Sequence, residues 1–351
     1  MVVNIVSVCS QDPQEHCSSV TFLLMEKPSN LLLKLSRRLF ENPDNQAEFI
    51  DALINPQPFH PAILWCQNQP DMVPFTVEAP TPWQPAFVDR LSLGEKPGKH
   101  PLHEQGDFYC LDFSSVFAAS VLLTIPQPVG LVFDMCASPG GKSVFAWKAL
   151  QPELLISNEV IGKRLGMLIS NLKRCQLSPC IVVNRDSSIF ASSIPSSSDV
   201  VLVDAPCTGQ SLLAKGEKAP GCFHPTAINK SANRQKRIIA NSAQLVAPQG
   251  YLVYMTCTYS PEENEQVCEW FLSRFPQFEA VRVSHLDQYQ SHLTEIPCYR
   301  IFPQNRLGAG AFTVLFQNTV VGEKGAVDLD SLSGVWMNTN RRGAEDTESF
   351  A

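Results

Sequence analysis

A chain of 351 residues with a formal charge of −7, 44% hydrophobic and 17% charged, has ample material for a core and the make-up of an ordinary globular protein. This composition excludes a disordered chain or a small disulfide scaffold, and no apolar run reaches the roughly 18 residues of a membrane helix. The acidic balance argues mildly against a nucleic-acid partner, so any such partner requires a local basic cluster.

The opening MVVNIVSVCSQDPQE has neither a basic start nor a continuous apolar stretch, so no secretory signal is read there and a cytoplasmic location is expected. The twelve cysteines form no C-x-x-C pair, and Cys175, Cys180 and Cys268 read as small buried hydrophobes. Residues 29–54 predict two helices, LLLKLSRRLF and QAEFIDALI, capped at Ser29 or Asn30 and separated at Pro43. Ten prolines between Pro56 and Pro101 forbid a long helix and predict an extended, irregular stretch with short strands, either a linker or a surface that touches substrate. From Phe108 the pattern changes: FYCLDF predicts a short strand and then a helix capped near Asp112 or Ser114.

Beyond that point apolar strands alternate with helices. The strands are GLVFD (130–134), LLISNE (154–159), CIVVNRD (180–186), DVVLVDAPC (199–207) and GYLVYMTCTYS (250–260). Helices are predicted near 142–150, 161–175 and 227–246 and after Pro261, with a serine-rich loop at 192–198. Near-continuous apolar strands joined by helices mean an α/β fold with a doubly wound, mainly parallel sheet, whose ligands sit at the carboxyl ends of the strands. The residues from 320 onward predict a loosely ordered tail.

In VGLVFDMCASPGGKS (129–143) a strand feeds a glycine turn and then a helix, the usual entry to a nucleotide or nucleoside site. GGKS resembles the end of a phosphate-binding P-loop, but that pattern needs glycine where Cys136 stands. S-adenosylmethionine is the other reading, because acids follow at successive strand ends: Asp134, Glu159, Asp186 and Asp204. DVVLVD also suits a magnesium-holding strand, which keeps a nucleotide hydrolase open. Cys207 and Cys257 end adjacent strands and face one cleft, which suggests thiolate chemistry. After Cys257, Ser260, Pro261 and Glu263 form a capping box at the start of a helix. Between the cysteines, Lys215, Lys218, Lys230, Arg234, Lys236 and Arg237 face a single acid, Glu217, and supply the local basic surface.

Four stretches, DMCASPGGK (134–142), NE (158–159), VDAPCTG (203–209) and TCTYSPEENE (256–265), resemble the RNA 5-methylcytosine methyltransferases of the Sun-domain family. RIFPQNRLGAGAF (300–312) resembles that family's closing strand segment, and the likeness runs over about 108–318. The resemblance implies a Rossmann-like class I S-adenosylmethionine-dependent methyltransferase with a catalytic domain at 108–319; apart from it, a smaller helical and irregular region at 1–107 is expected to contact RNA, and a tail is expected at 320–351. It implies a cofactor loop of Cys136, Ala137, Ser138, Pro139, Gly140, Gly141 and Lys142, completed by Glu159, Asp186 and Asp204. It implies Cys257 as nucleophile, Cys207 as the thiol that helps release product, and Asp204 as base or stabiliser of the adduct. The partner is then RNA, ribosomal in preference to transfer RNA. No metal is called for, and a monomer is the default. A P-loop-like hydrolase and a catalytically silent RNA-binding scaffold are the alternatives.

Overall fold

The computed structural model describes residues 27–327, 332 and 334–338. The opening stretch and most of the expected tail therefore lie outside the described residues. The first two helices form as the sequence predicts: α1 (Asn30–Leu39) is capped by Ser29, and α2 (Pro43–Ile54) starts on Pro43 with Asn42 as its cap. Leu32, Leu35, Leu39, Phe49 and Leu53 are buried, at roughly 2 kcal/mol each before entropy is counted. They pack against Tyr259, Ala309 and Phe302, so this hairpin is seated on the segment that follows Cys257. Arg38 adds an ion pair with Glu262 at 2.8 Å.

The proline-rich stretch holds β1 (Ala62–Trp65), β2 (Val88–Arg90) and the short α3 (Pro101–Gln105). The strand β3 (Phe108–Leu111) pairs with β1, giving an antiparallel sheet in the order β2-β1-β3. That small sheet straddles position 107, so the chain passes directly from it into α4 (Phe113–Ala119), which Asp112 caps.

The main layers follow: β4 (Leu131–Asp134), α5 (Gly141–Leu150), β5 (Leu154–Asn158), α6 (Gly162–Arg174), β6 (Cys180–Val183), α7 (Ser187–Ser193), β7 (Ser198–Asp204), α8 (Pro225–Ala243), β8 (Val246–Thr256) and α9 (Glu265–Arg274). The remaining strands are β9 (Phe278–Ala280), β10 (Tyr299–Ile301), β11 (Ala311–Asn318) and β12 (Trp336–Asn338). The order β6-β5-β4-β7-β8 is parallel throughout, and β11 and β12 are antiparallel on its two sides. Buried strand residues alternate between two cores: Val132, Leu155 and Val182 pack on one face, Phe133, Ile156 and Ile181 on the other. The doubly wound parallel sheet expected from the sequence is thus present.

Three local expectations fail. The serine-rich stretch read as a loop from 192 begins inside a helix, because α7 runs over Ser187–Ser193 and Asp186 caps it through the Ser188 N–H and hydroxyl. Residues 336–338 are not loose: they pair with β6 and cover its edge. The capping box after Cys257 does not form, because Ser260 caps nothing and Glu263 turns inward.

Candidate active site

The strand order reverses at β4, and its carboxyl end lies beside that of β7, which makes the crevice where open α/β sheets take ligands. The loop leaving β4 runs through Cys136, Ala137, Ser138 and Pro139 to Gly140, whose φ of +118° suits glycine. A Cβ at Gly140 would meet Leu168 and Leu172 of α6 at ordinary van der Waals distance, so the loop lies against that helix. Among the described residues no side chain caps the first turn of α5, which leaves its N–H groups facing the crevice. Asp134 lies beneath the loop, fully buried, and accepts from the Ser143 hydroxyl at 2.7 Å and the Cys136 N–H at 3.3 Å. Burial pushes its carboxyl up to about 7, with the Asp204 charge adding to the effect.

The other acids have distinct settings. Glu159 is buried, accepts from the Ile161 N–H at 2.8 Å and pairs with Arg164 at 3.1 Å. Asp186 is held below the usual carboxylate range by the Ser188 backbone and hydroxyl, and lies 3.5 Å from Arg237. Asp204 takes the Lys142 ammonium at 3.0 Å and so links β7 to the loop that follows β4. These loop N–H groups and three carboxylates, each with free lone pairs, fit a sulfonium nucleoside with ribose hydroxyls and an adenine amino group.

The two cysteines meet because β7 and β8 run in parallel register, Asp204 beside Met255. Cys207 and Cys257 then lie with their sulfurs 3.3 Å apart. Cys257 is exposed and Cys207 half-buried. Donation from the Cys207 thiol draws the Cys257 thiol below its ordinary value, with help from the Ser211 hydroxyl and Lys142. The same bond, together with burial, raises Cys207 well above its ordinary value. The pair is therefore asymmetric: the Cys257 thiol gives up its proton more readily than the Cys207 thiol.

Sequence reasoning missed the group that holds this pair. Glu263, fully buried, accepts from the Thr208 N–H at 2.9 Å, the Thr208 hydroxyl at 2.6 Å and Gln235 Nε2 at 2.9 Å. The Thr258 hydroxyl is 2.8 Å from that of Thr208, so one carboxylate ties the residue after Cys207 to the residue after Cys257. Burial raises its pKa and these donors pull it back. Gln210 performs a similar task, donating to Ser260 Oγ at 2.6 Å and accepting from the Tyr259 N–H at 2.9 Å. The signal available in the sequence was a carboxylate six residues after a cysteine, and local spacing favoured a cap.

The basic residues divide. Lys230, Arg234 and Arg237 are exposed and share one face of α8, and Arg234 donates to the Pro206 carbonyl at 3.0 Å. Lys236 lies over the Trp270 ring instead, and Lys218 is exposed beyond the 3-10 turn Gln210–Lys215. Lys215 pairs with Asp112 at 2.8 Å; burial opposes its charge, but Asp112 prevails and its pKa rises. Among the described residues no helix is long and apolar enough to cross a membrane.

Ribosomal RNA small subunit methyltransferase F of Pectobacterium carotovorum is 30% identical over 221 residues, covering 62% of this chain and 46% of that protein. The protein of the same name from Vibrio parahaemolyticus is 33% identical over 207 residues, covering 58% and 43%. The chain thus spans about half the length of the curated relatives it matches. A methyltransferase homolog protein from Pyrococcus horikoshii superposes with a TM-score of 0.64 at 21% identity, over 83% of this chain and all of that one. NSun6 from the same organism, solved with SFG, gives 0.64 at 18% identity over 84% and 99%. These likenesses establish the fold. The pattern of one family matches residues 121–317, more than half of the chain, and bears out the resemblance carried by the four motifs. The chain belongs to the 16S rRNA methyltransferase RsmB/F family.

Proposed function

We propose that the protein is an S-adenosylmethionine-dependent RNA methyltransferase that modifies carbon 5 of a cytosine in ribosomal RNA. The observation that carries this reading is the asymmetric cysteine pair, a lowered Cys257 thiol 3.3 Å from a raised Cys207 thiol, at the mouth of the crevice. A nucleotide hydrolase has no use for that pair, and Cys136 removes a glycine its phosphate loop needs.

Carbon 5 of cytosine is too weak a nucleophile to accept a methyl group unaided. The Cys257 thiolate adds to carbon 6, and the ring's electrons then reside on carbon 5. Bound S-adenosylmethionine supplies an electrophilic methyl group, and the residues that hold it are the loop Cys136–Lys142, Glu159 and Asp186. Asp204, fixed by Lys142, accepts from the exocyclic amine and stabilises the adduct. Once carbon 5 carries the methyl group, its proton departs to a base, the carbon–sulfur bond breaks, and Cys257 leaves as thiolate. Cys207, in contact with that sulfur, assists the release. The target base must be unpaired or flipped out to reach Cys257. Residues 1–107 and the α8 face with Lys230, Arg234 and Arg237 contact the RNA, together with Lys215, Lys218 and Lys236 at the margins.

The test uses Cys207→Ala with total cellular RNA and S-adenosylmethionine on a denaturing gel. A covalent protein–RNA band is expected, and it disappears when Cys257→Ala is added. A band from Cys257→Ala alone reverses the two roles; no band from any variant, with cofactor bound, leaves an RNA-binding scaffold.

A further inference from the structure

A cavity of ≈ 570 Å³ is walled by Pro56, Phe59, His60 and Pro61 on one side and by Leu111, Asp112 and Lys215 on the other. The methyl-transfer chemistry does not use it. Its place is fixed by the 3-10 turn Gln210–Lys215: the Ser211 N–H donates to the Cys257 carbonyl at 3.2 Å, and Lys215 lies four residues on, at the cavity wall. At about 2 Å rise per residue the turn spans on the order of 8 Å from Ser211, bonded to the Cys257 carbonyl, to Lys215 at the cavity wall. That is about two to three nucleotides at the ~3.4 Å stacking distance of a nucleic-acid strand.

The lining suits a base. Prolines and the half-buried Phe59 ring give flat apolar walls, and the Arg306 guanidinium stacks on the Phe59 ring at 5.6 Å while donating to the Pro58 carbonyl at 3.2 Å. Stacking on aromatic and guanidinium planes is how single-stranded RNA is held. Asp112 is the acid among the lining residues, and Lys215 neutralises it at 2.8 Å, so no net negative charge repels a phosphodiester. The volume lies within the usual 300–1,000 Å³ range of ligand pockets, ~ the scale of a nucleotide.

We propose that this cavity is a second RNA subsite, taking an unpaired nucleotide that flanks the target cytidine, with its base stacked against Phe59 and the neighbouring prolines. The proposal rests on the RNA reading above and deepens it: the proline-rich stretch reads the strand next to the target rather than linking two domains.

The experiment measures binding of a short mixed-sequence single-stranded RNA to the full chain, its Phe59→Ala variant and its Gln57→Glu variant. Phe59 also packs beneath the helical hairpin, so its removal can loosen the fold. Gln57 is exposed at the cavity mouth, so an added negative charge there leaves packing alone. Phe59→Ala is expected to bind RNA about tenfold more weakly, the loss of one stacked base, and Gln57→Glu several-fold more weakly because its added charge repels the phosphodiester, with S-adenosylmethionine affinity unchanged in both. RNA affinity of Gln57→Glu within about twofold of wild type overturns the proposal, whatever Phe59→Ala does. Wild type that binds RNA but transfers no methyl group defeats the proposed activity and leaves the subsite standing if the variants bind weakly.

Discussion

Glu263 offers the sharpest test of how the cysteine pair is held. In Glu263→Ala, three donors lose their acceptor: the Thr208 N–H at 2.9 Å, the Thr208 hydroxyl at 2.6 Å and the buried Gln235 Nε2 at 2.9 Å. The hydroxyl can turn to Thr258 Oγ1 at 2.8 Å, and Gln235 keeps the Pro206 carbonyl at 3.2 Å. The Thr208 N–H, on a half-buried residue, is then left alone, and a donor stranded away from water costs about 1–3 kcal/mol. With the charge-assisted bonds also lost, the net is about 3 kcal/mol. At ~2–4 °C per kcal/mol for a domain of this size, thermal unfolding moves down by roughly 6–12 °C. The loops bearing Cys207 and Cys257 lose their common anchor, and a displacement on the order of 1 Å reduces kcat about 10²-fold. Glu263→Gln keeps a carbonyl oxygen for the Thr208 N–H and is expected to recover most of the stability and less of the rate. The assays are differential scanning calorimetry, alkylation of Cys257 and methyl transfer to unmodified ribosomal RNA. Glu263→Ala melting within about 2 °C of wild type, with Cys257 alkylated at the wild-type rate, refutes the reasoning.

Cys207→Ala removes the donation that lowers the Cys257 thiol, so the pH midpoint for alkylation of Cys257 moves up; an unchanged midpoint means the sulfur contact does not set the pKa. Asp134 has a folded value near 7 against an unfolded value near 4, so the fold favours its protonated form. Its contribution to stability is present below about pH 4 and is lost as pH rises to about 7, and Asp134→Asn flattens the Tm profile across that window. A wild-type Tm that does not fall there, once other groups are matched by the variant, contradicts the burial argument. Phe49→Ala empties a fully buried site in edge contact with Tyr259 at 5.1 Å and costs about 3–5 kcal/mol. Methyl transfer to RNA is expected to drop while S-adenosylmethionine affinity holds, and full retention of transfer uncouples the helical hairpin from the cysteine loop.

The sequence by itself determined the α/β class, the order of the parallel strands' apolar runs and the acids at their ends. Those features are local: a strand buried on both faces must be continuously apolar, and a residue at its carboxyl end needs no partner to be placed there. The caps at Ser29 and Asp112 were legible for the same reason, since each bonds within three residues. Proline density correctly forbade a long helix at 55–101, yet no local rule announces that β1 pairs with a strand more than forty residues later. The capping box was misread because Ser260 and Glu263 have the right spacing, whereas Gln210 and Gln235, distant in sequence, satisfy them better in the folded chain. That the two cysteine sulfurs touch, and that one buried carboxylate spans both loops, is visible in the folded chain alone. Each of those depends on the register between β7 and β8, and register is a property of the assembled sheet.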